Sequence, residues 1–271
     1  MRTAAAPYIH RDIKPLGIDS VTMDGRFDDS LAELQILGYE VISVAQNAEL
    51  RIHQGAKASV SHRGNLTREG IIYTPHAKPI LVKNSPILMK PSVTTTAEKL
   101  GFERYLRATE LSRYLSEETD FIEFPEEYFE IPTNRFGEEG LTVFLFGGEQ
   151  KARRYGEFLA KEGVYEMPVN PLDKSYVYTH DRPFARQLYF GGANNIERSR
   201  LCGTTEYLSF VDCKIRGVRP VAMRAGEINE SIISDFPQEV LRLVESAALR
   251  GGRYQISKLK LAARLVSKLL K

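Results

Sequence analysis

The 271-residue sequence contains no tryptophan and only two cysteines, Cys202 and Cys213. A secreted domain stapled by disulfides would carry more cysteine than this. The sequence also lacks any run of about 18 apolar residues, which is the length that a membrane-spanning helix needs. Its first residues contain no apolar stretch of the kind found in signal peptides. Together these absences predict a cytoplasmic protein without a membrane span.

An excess of charge of one sign is lacking as well, since 37 basic residues stand against 35 acidic ones. The charges are nevertheless segregated along the chain. Residues 117–130 hold seven acids and no base, whereas residues 250–271 contain bases and no acid. This pattern predicts one acidic and one basic surface rather than a uniformly basic protein.

The turn and strand signals predict an α+β or α/β chain with a β-rich N-terminal section over residues 1–92. In this section we expect a helix at 28–37, where leucines recur on one face before Gly38. Short strands are expected at 40–45, 56–61, 70–74 and 79–83, separated by Gly, Asn and Pro.

The second section, residues 96–271, is predicted to be mixed α/β and to begin with a helix at about 97–116. The run LTVFLF, Gly147-Gly148, a helix and the run VYEMPV together predict a βαβ unit at 141–168. A hairpin turning at Arg216-Gly217 and two C-terminal helices, near 236–249 and 256–270, complete the prediction.

The Gly147-Gly148 turn is the first candidate binding site. If a strand precedes it and a helix follows, the unpaired amides at the helix start attract a phosphate. Lys151 would lie within the first turn of that helix. The full glycine fingerprints of dinucleotide and nucleoside triphosphate sites are absent, so an ordinary tight turn is the competing interpretation.

The segment 174–200 is the second candidate, because basic and aromatic residues are unusually dense there. Arginines pair with phosphates and aromatic rings stack on bases. The competing interpretation is an internal interface between arginines and tyrosines. The ligand-binding residues predicted in this segment are Tyr176, Tyr178, His180, Arg182, Arg186, Arg198 and Arg200.

The C-terminal helix is the third candidate. It would place Lys260, Arg264 and Lys268 on one face, opposite an apolar stripe that can dock on a core. No cysteine and histidine spacing typical of a metal site occurs, so no metal is predicted.

Three functions remain open at this point. The leading hypothesis is recognition of a phosphate-bearing ligand, with nucleic acid as the expected partner. The second is a small-molecule enzyme that binds a nucleotide or sugar phosphate at Gly147-Gly148. The third is a structural or assembly protein, such as a viral one.

Overall fold

The computed structural model describes residues 8–12, 18–89, 103–116, 120–203 and 213–220. All of them belong to a unit that ends at Pro220. Their strands form one mixed sheet, so of the two predicted classes, α+β or α/β, the structure is mixed α+β, and the β-rich start is confirmed. No helix in these ranges is long and apolar enough to cross a membrane. The C-terminal helices, and with them Lys260, Arg264 and Lys268, lie outside the described residues.

Twelve strands make up the sheet in the described ranges. The strands are β1 Tyr8–Asp12, β2 Ile18–Gly25, β3 Glu40–Val41, β4 Asn65–Thr74, β5 Ala77–Val82, β6 Arg104–Tyr105, β7 Phe121–Glu123, β8 Phe129–Pro132, β9 Glu166–Asn170, β10 Phe184–Phe190, β11 Leu201–Cys202 and β12 Cys213–Pro220. The main path through the sheet runs β1-β2-β12-β4-β10-β11-β9-β8. Strand β3 pairs with β12, β5 with β4 and β7, and β6 with β10.

Helices flank this sheet and short 3₁₀ turns link some of the strands. The helices are α1 Phe27–Ile36, α2 Val44–Gln54, α3 Ser59–His62, α4 Ala108–Tyr114, α5 Gly140–Phe146, α6 Glu149–Lys161 and α7 Lys174–Val177. The 3₁₀ turns span Pro86–Met89 and Thr133–Arg135.

The core divides into clusters that lie on the two faces of the sheet. Successive residues of a strand point to opposite faces. Ile71 and Tyr73 of β4 therefore pack with residues of α5 and α6, while Ile72 packs with residues of α1 and β2. Since strands from both predicted sections, such as β4 and β10, pair with each other, the sheet spans residues on both sides of position 92. The predicted boundary near 92–96 falls outside the described residues and stays a prediction.

The predicted βαβ unit at 141–168 is wrong, because LTVFLF forms helix α5 rather than a strand. A short apolar run fits a buried strand or a buried helix equally well. In the structure the run is helical, and Gly147 ends the helix at φ 77°, in the left-handed conformation that is common at helix ends. The second strand of the prediction is real, but β9 pairs antiparallel with β8 and parallel with β11.

Four further local predictions are corrected. The expected strand at 40–45 shortens to β3, because Ser43 and Gln46 form a capping box that begins α2. The strand expected at 56–61 is a turn followed by the start of helix α3. The described part of the helix expected at 97–116 is β6 followed by α4. No turn occurs at Arg216-Gly217, since β12 runs through both residues in register with β2.

Candidate functional site

The Gly147-Gly148 turn joins two helices, so the strand that the phosphate-site hypothesis needs is absent there. The amide of Gly147 donates to the Phe144 carbonyl oxygen, and that of Gly148 donates to the Val143 carbonyl oxygen at 2.9 Å. Both amides therefore end α5 instead of facing outward. Lys151 lies exposed on α6. Ligand binding at this turn stays a prediction.

The Arg- and Tyr-rich segment converges on a buried carboxylate that the sequence patterns did not indicate, that of Glu103. Arg186 Nε donates to Glu103 Oε1, and a terminal guanidinium nitrogen of Arg186 also lies 3.2 Å from this oxygen. His180 Nε2 lies 2.9 Å from the other carboxylate oxygen of Glu103. Tyr176 also hydrogen-bonds to Glu103, and burial together with this bond raises the pKa of Tyr176 to about 12. We call these four residues the Glu103 network. The structure brings three predicted site residues together, around an internal acid.

The other aromatic and basic residues of the segment have separate neighbours. Arg182 is exposed and lies over the ring of Tyr105, 4.2 Å from its centroid. Tyr178 stacks on His76 with 4.9 Å between ring centroids. Neither residue joins the Glu103 network by a hydrogen bond that we observe. They border it on the surface.

Arg198 and Arg200 lie on the loop that follows β10, away from Glu103. Arg198 donates to Glu130 Oε1 at 2.9 Å, and Glu130 belongs to the acidic stretch 117–130. Arg200 lies 3.6 Å from Glu197 and over the ring of Tyr189. The seven predicted residues of the segment therefore do not share one open surface, because β10 separates its two ends.

The loop 191–200 braces α3 instead of exposing its backbone to a ligand. Ala193 N donates to the Ser61 carbonyl oxygen at 2.6 Å, and Asn194 donates to the His62 carbonyl oxygen at 2.9 Å. Gly192 permits this approach, because a Cβ there would lie 2.6 Å from the same His62 oxygen. Arg198 and Ser199 both adopt positive φ, which is uncommon outside glycine.

A buried arginine, Arg51, also hydrogen-bonds to the loop 191–200. Arg51 of α2 donates to the Val60 carbonyl oxygen in α3, to the Tyr155 hydroxyl in α6 and to Ser199 Oγ in the loop. Its guanidinium also lies 4.2 Å from the centroid of the Phe190 ring. One side chain thus fixes the position of α3 relative to the sheet.

On the outer side of α3 lies a cavity of about 390 Å³, which we call the basic pocket. It is lined by Thr22, Asp24, Lys57, Ser59, His62, Arg63, Gly64, Asn65, Lys214 and Arg216. Its volume falls at the small end of the range of about 300–1,000 Å³ found for ligand sites.

The floor of the basic pocket follows from strand alternation. Thr22 is directly opposite Arg216 and Asp24 directly opposite Lys214 in the β2–β12 pair, so all four side chains share one face. The residues between them, such as Met23 and Ile215, pack into the core on the other face. The polar residues of this face therefore look towards α3.

The rim of the basic pocket comes from α3 and the residues beside it. Lys57, Ser59, His62 and Arg63 are exposed there. Gly64 is required at the foot of the rim, since a Cβ would lie 2.2 Å from the Tyr189 hydroxyl. Burial and the neighbouring Glu197 raise the pKa of Tyr189, so its hydroxyl stays neutral behind the pocket.

Positive charge dominates the basic pocket. Asp24 is the one carboxylate among the described residues that line it, against Lys57, Arg63, Lys214 and Arg216. Arg63 lies 3.9 Å from Asp24 and is largely exposed. Arg216 is only 2% exposed, and burial lowers its pKa to about 10, so it remains a cation at neutral pH.

The basic pocket was not predicted from the sequence. Its signal was present in the alternation of Lys214 and Arg216 with apolar residues along one strand. This alternation was not recognised as one strand, because the turn predicted at Arg216-Gly217 divided the residues between the two arms of a predicted hairpin. Among the described residues, no group of three or more His, Cys, Asp or Glu side chains could hold a metal ion.

The fold and this pocket define a mixed α+β protein with an electropositive cavity beside its sheet. No protein-family model matches the chain, and no curated protein matches it. A solved structure is similar, from work on the accommodation of massive sequence variation in Nanoarchaeota by the C-type lectin fold. It is 17% identical, with a TM-score of 0.56 over 80% of this chain and 100% of that chain. This likeness concerns the fold alone.

Proposed function

We propose that this protein binds a phosphate-bearing ligand in the basic pocket. The observation that carries the proposal is the imbalance of charge in one cavity, four basic side chains against Asp24. Phosphate oxygens accept charge-assisted hydrogen bonds from lysine and arginine. The proposal keeps the ligand chemistry expected from the sequence and moves its principal site from the segment 174–200 to the pocket.

The partial burial of the cations supports a specific site over a merely solvated basic surface. Arg216 lies on the floor and Lys214 is half-buried, so water screens their charges less than it screens exposed lysines. The hydrogen bonds from the loop 191–200 hold the backbone of α3 in place, so the backbone of this part of the rim is formed before a ligand arrives. A preformed site loses less entropy on binding.

The ligand could present its phosphate as a small molecule or as part of a nucleic-acid strand. The nucleic-acid form stays a proposal, as does a cytoplasmic location. Its affinity would fall steeply with salt, because each phosphate contact releases a counterion. Arg182, which is exposed, and Arg200, which is half-buried, are two residues of the segment 174–200 that a strand could still reach.

Calorimetry at low salt tests the proposal with pyrophosphate, ribose 5-phosphate and a short mixed-sequence oligonucleotide. The variant that combines Lys57→Gln, Arg63→Gln and Lys214→Gln should weaken phosphate binding by about tenfold for each charged hydrogen bond that it removes. Lys161→Gln, an exposed lysine at the end of α6, is the matched control and should bind like the wild type.

Two results would contradict the proposal. One is that the wild-type chain binds none of the three probes at low salt. The other is that the triple variant binds as tightly as Lys161→Gln. If only the oligonucleotide binds, and Arg182→Gln with Arg200→Gln weakens it while the triple variant does not, the segment 174–200 is the site instead.

A further inference from the structure

The basic pocket is not uniformly positive, and Asp24, the acid among its described lining residues, has a defined place. Asp24 lies on the floor, opposite Lys214 in the strand register and two residues along β2 from Thr22. Its carboxylate is 3.9 Å from Arg63 at the rim. A carboxylate repels an anion bound beside it, and its oxygens accept hydrogen bonds from hydroxyl groups. Negative charge of a ligand is therefore disfavoured beside Asp24.

The lining also contains uncharged polar side chains. Thr22 shares the floor with Asp24, and Ser59 lies on α3. Asn65 is buried and already engaged, because its side chain accepts from Asn47 at 2.6 Å and donates to the Leu66 carbonyl oxygen at 2.8 Å. The hydroxyl groups of Thr22 and Ser59 can hydrogen-bond to hydroxyl groups of a ligand.

Resting on the proposed function, we propose that the ligand is a small phosphorylated polyol, such as a sugar phosphate. Its phosphate would contact the basic side chains of the pocket, and a hydroxyl group would donate to Asp24. The cavity of about 390 Å³ suits a molecule of this size. Asp24 is then the residue that distinguishes a phosphate ester with hydroxyl groups from a bare polyphosphate.

Affinities of the wild-type 271-residue chain for ribose 5-phosphate, pyrophosphate, inorganic phosphate and ribose give the first test. Ribose 5-phosphate should bind about tenfold tighter than pyrophosphate, the effect of one hydrogen bond to a charged acceptor. Ribose alone should bind at least that much more weakly, because it lacks the charge that the basic side chains recognise.

The variant Asp24→Asn gives the second test. It should lose the preference, with pyrophosphate binding tighter than in the wild type because the repulsion is gone. Asp24→Glu keeps the charge and should retain the order of affinities. Circular dichroism spectra check that each variant is folded, and the wild-type comparison decides the question even if Asp24→Asn does not fold.

The failures of the two proposals are distinguishable. If no phosphate-bearing probe binds, both are overturned. If pyrophosphate binds as tightly as ribose 5-phosphate in the wild type, the basic pocket still binds phosphate but the inference about the polyol is overturned. Tighter binding of an oligonucleotide than of any small probe would overturn it as well.

Discussion

The Glu103 network and the basic pocket use the same kinds of side chain in opposite ways. In the network, Arg186 and His180 both contact one buried carboxylate. In the pocket, four basic residues outnumber the acid among the described lining residues. Density of arginine along the chain therefore does not identify a binding surface. What matters is how the basic and acidic side chains are balanced once the chain has folded.

The Glu103 network and the basic pocket also differ in how the free energy of burying their charged side chains is compensated. A buried ion pair with good hydrogen bonds compensates much of its desolvation, and removing one partner leaves an uncompensated charge. Arg216 in the pocket is buried and its pKa is lowered by that burial. We expect the Glu103 network to act mainly in stability and the basic pocket mainly in ligand affinity.

The largest expected effect on stability is that of Glu103→Gln. This change removes the charge facing Arg186, which is only 4% exposed, so the free energy of unfolding should fall by about 3–5 kcal/mol. Urea denaturation measures it. The matched control is Glu157→Gln on the exposed side of α6, which should change stability by less than about 0.5 kcal/mol.

If Glu103→Gln is as stable as Glu157→Gln, the Glu103 network does not contribute to folding stability, and the expected difference from the basic pocket is contradicted. A second readout is the tyrosine titration. Burial is the largest cause that raises the pKa of Tyr176, and the hydrogen bond and the charge of Glu103 raise it further, so without the carboxylate this pKa should fall below about 12.

A middle effect is expected for Gly192→Ala, in the loop that braces the rim of the pocket. The new Cβ would lie 2.6 Å from the His62 carbonyl oxygen, so the loop or α3 must shift. We expect a loss of about 1–3 kcal/mol in thermal unfolding. Phosphate affinity should weaken too, since His62 and Arg63 belong to the rim of the pocket.

Gly140→Ala is the control for that change. Its Cβ would have Ile122 Cδ1 at 3.5 Å as its nearest neighbour, an ordinary contact. Stability and phosphate affinity should both stay near those of the wild type. If Gly192→Ala leaves phosphate affinity unchanged, the loop 191–200 does not support the basic pocket, and the prediction is contradicted.

The smallest effect concerns the surface pairing of Arg198. Glu130 accepts from Arg198 and also hydrogen-bonds to Glu166. That bond and the charge of Glu130 raise the pKa of Glu166. The contribution of Glu166 to folding stability is therefore fully present below the ordinary pKa of a glutamate. It is lost as the pH rises through the raised pKa of Glu166 in the folded protein.

Glu130→Gln should return the pKa of Glu166 towards its ordinary range, and carboxyl-detected NMR titration measures the shift. Glu162→Gln, also exposed, should leave that pKa where it is. Phosphate binding should be equal in both variants. A loss of binding in Glu130→Gln alone would place the acidic surface in the ligand site.

Sequence patterns predicted several elements because their periods were unambiguous. Helix α1 was predicted from Leu31 and Leu34 and ends before Gly38 as expected. Strands β4 and β5 fall where alternation and turn residues indicated. LTVFLF was misassigned because a run of six apolar residues has no visible period and the choice depends on packing against α6 and the sheet.

By itself, the sequence determined the α+β class, the ionic composition and the amphipathic alternation of strands such as β12. Only the tertiary structure decided which cations are internal. Arg186 meets Glu103 across 83 residues of chain and Arg198 meets Glu130 across 68. Lys214 and Arg216 reach the pocket because β12 pairs with β2. These are contacts between distant segments, and local propensity carries no information about them.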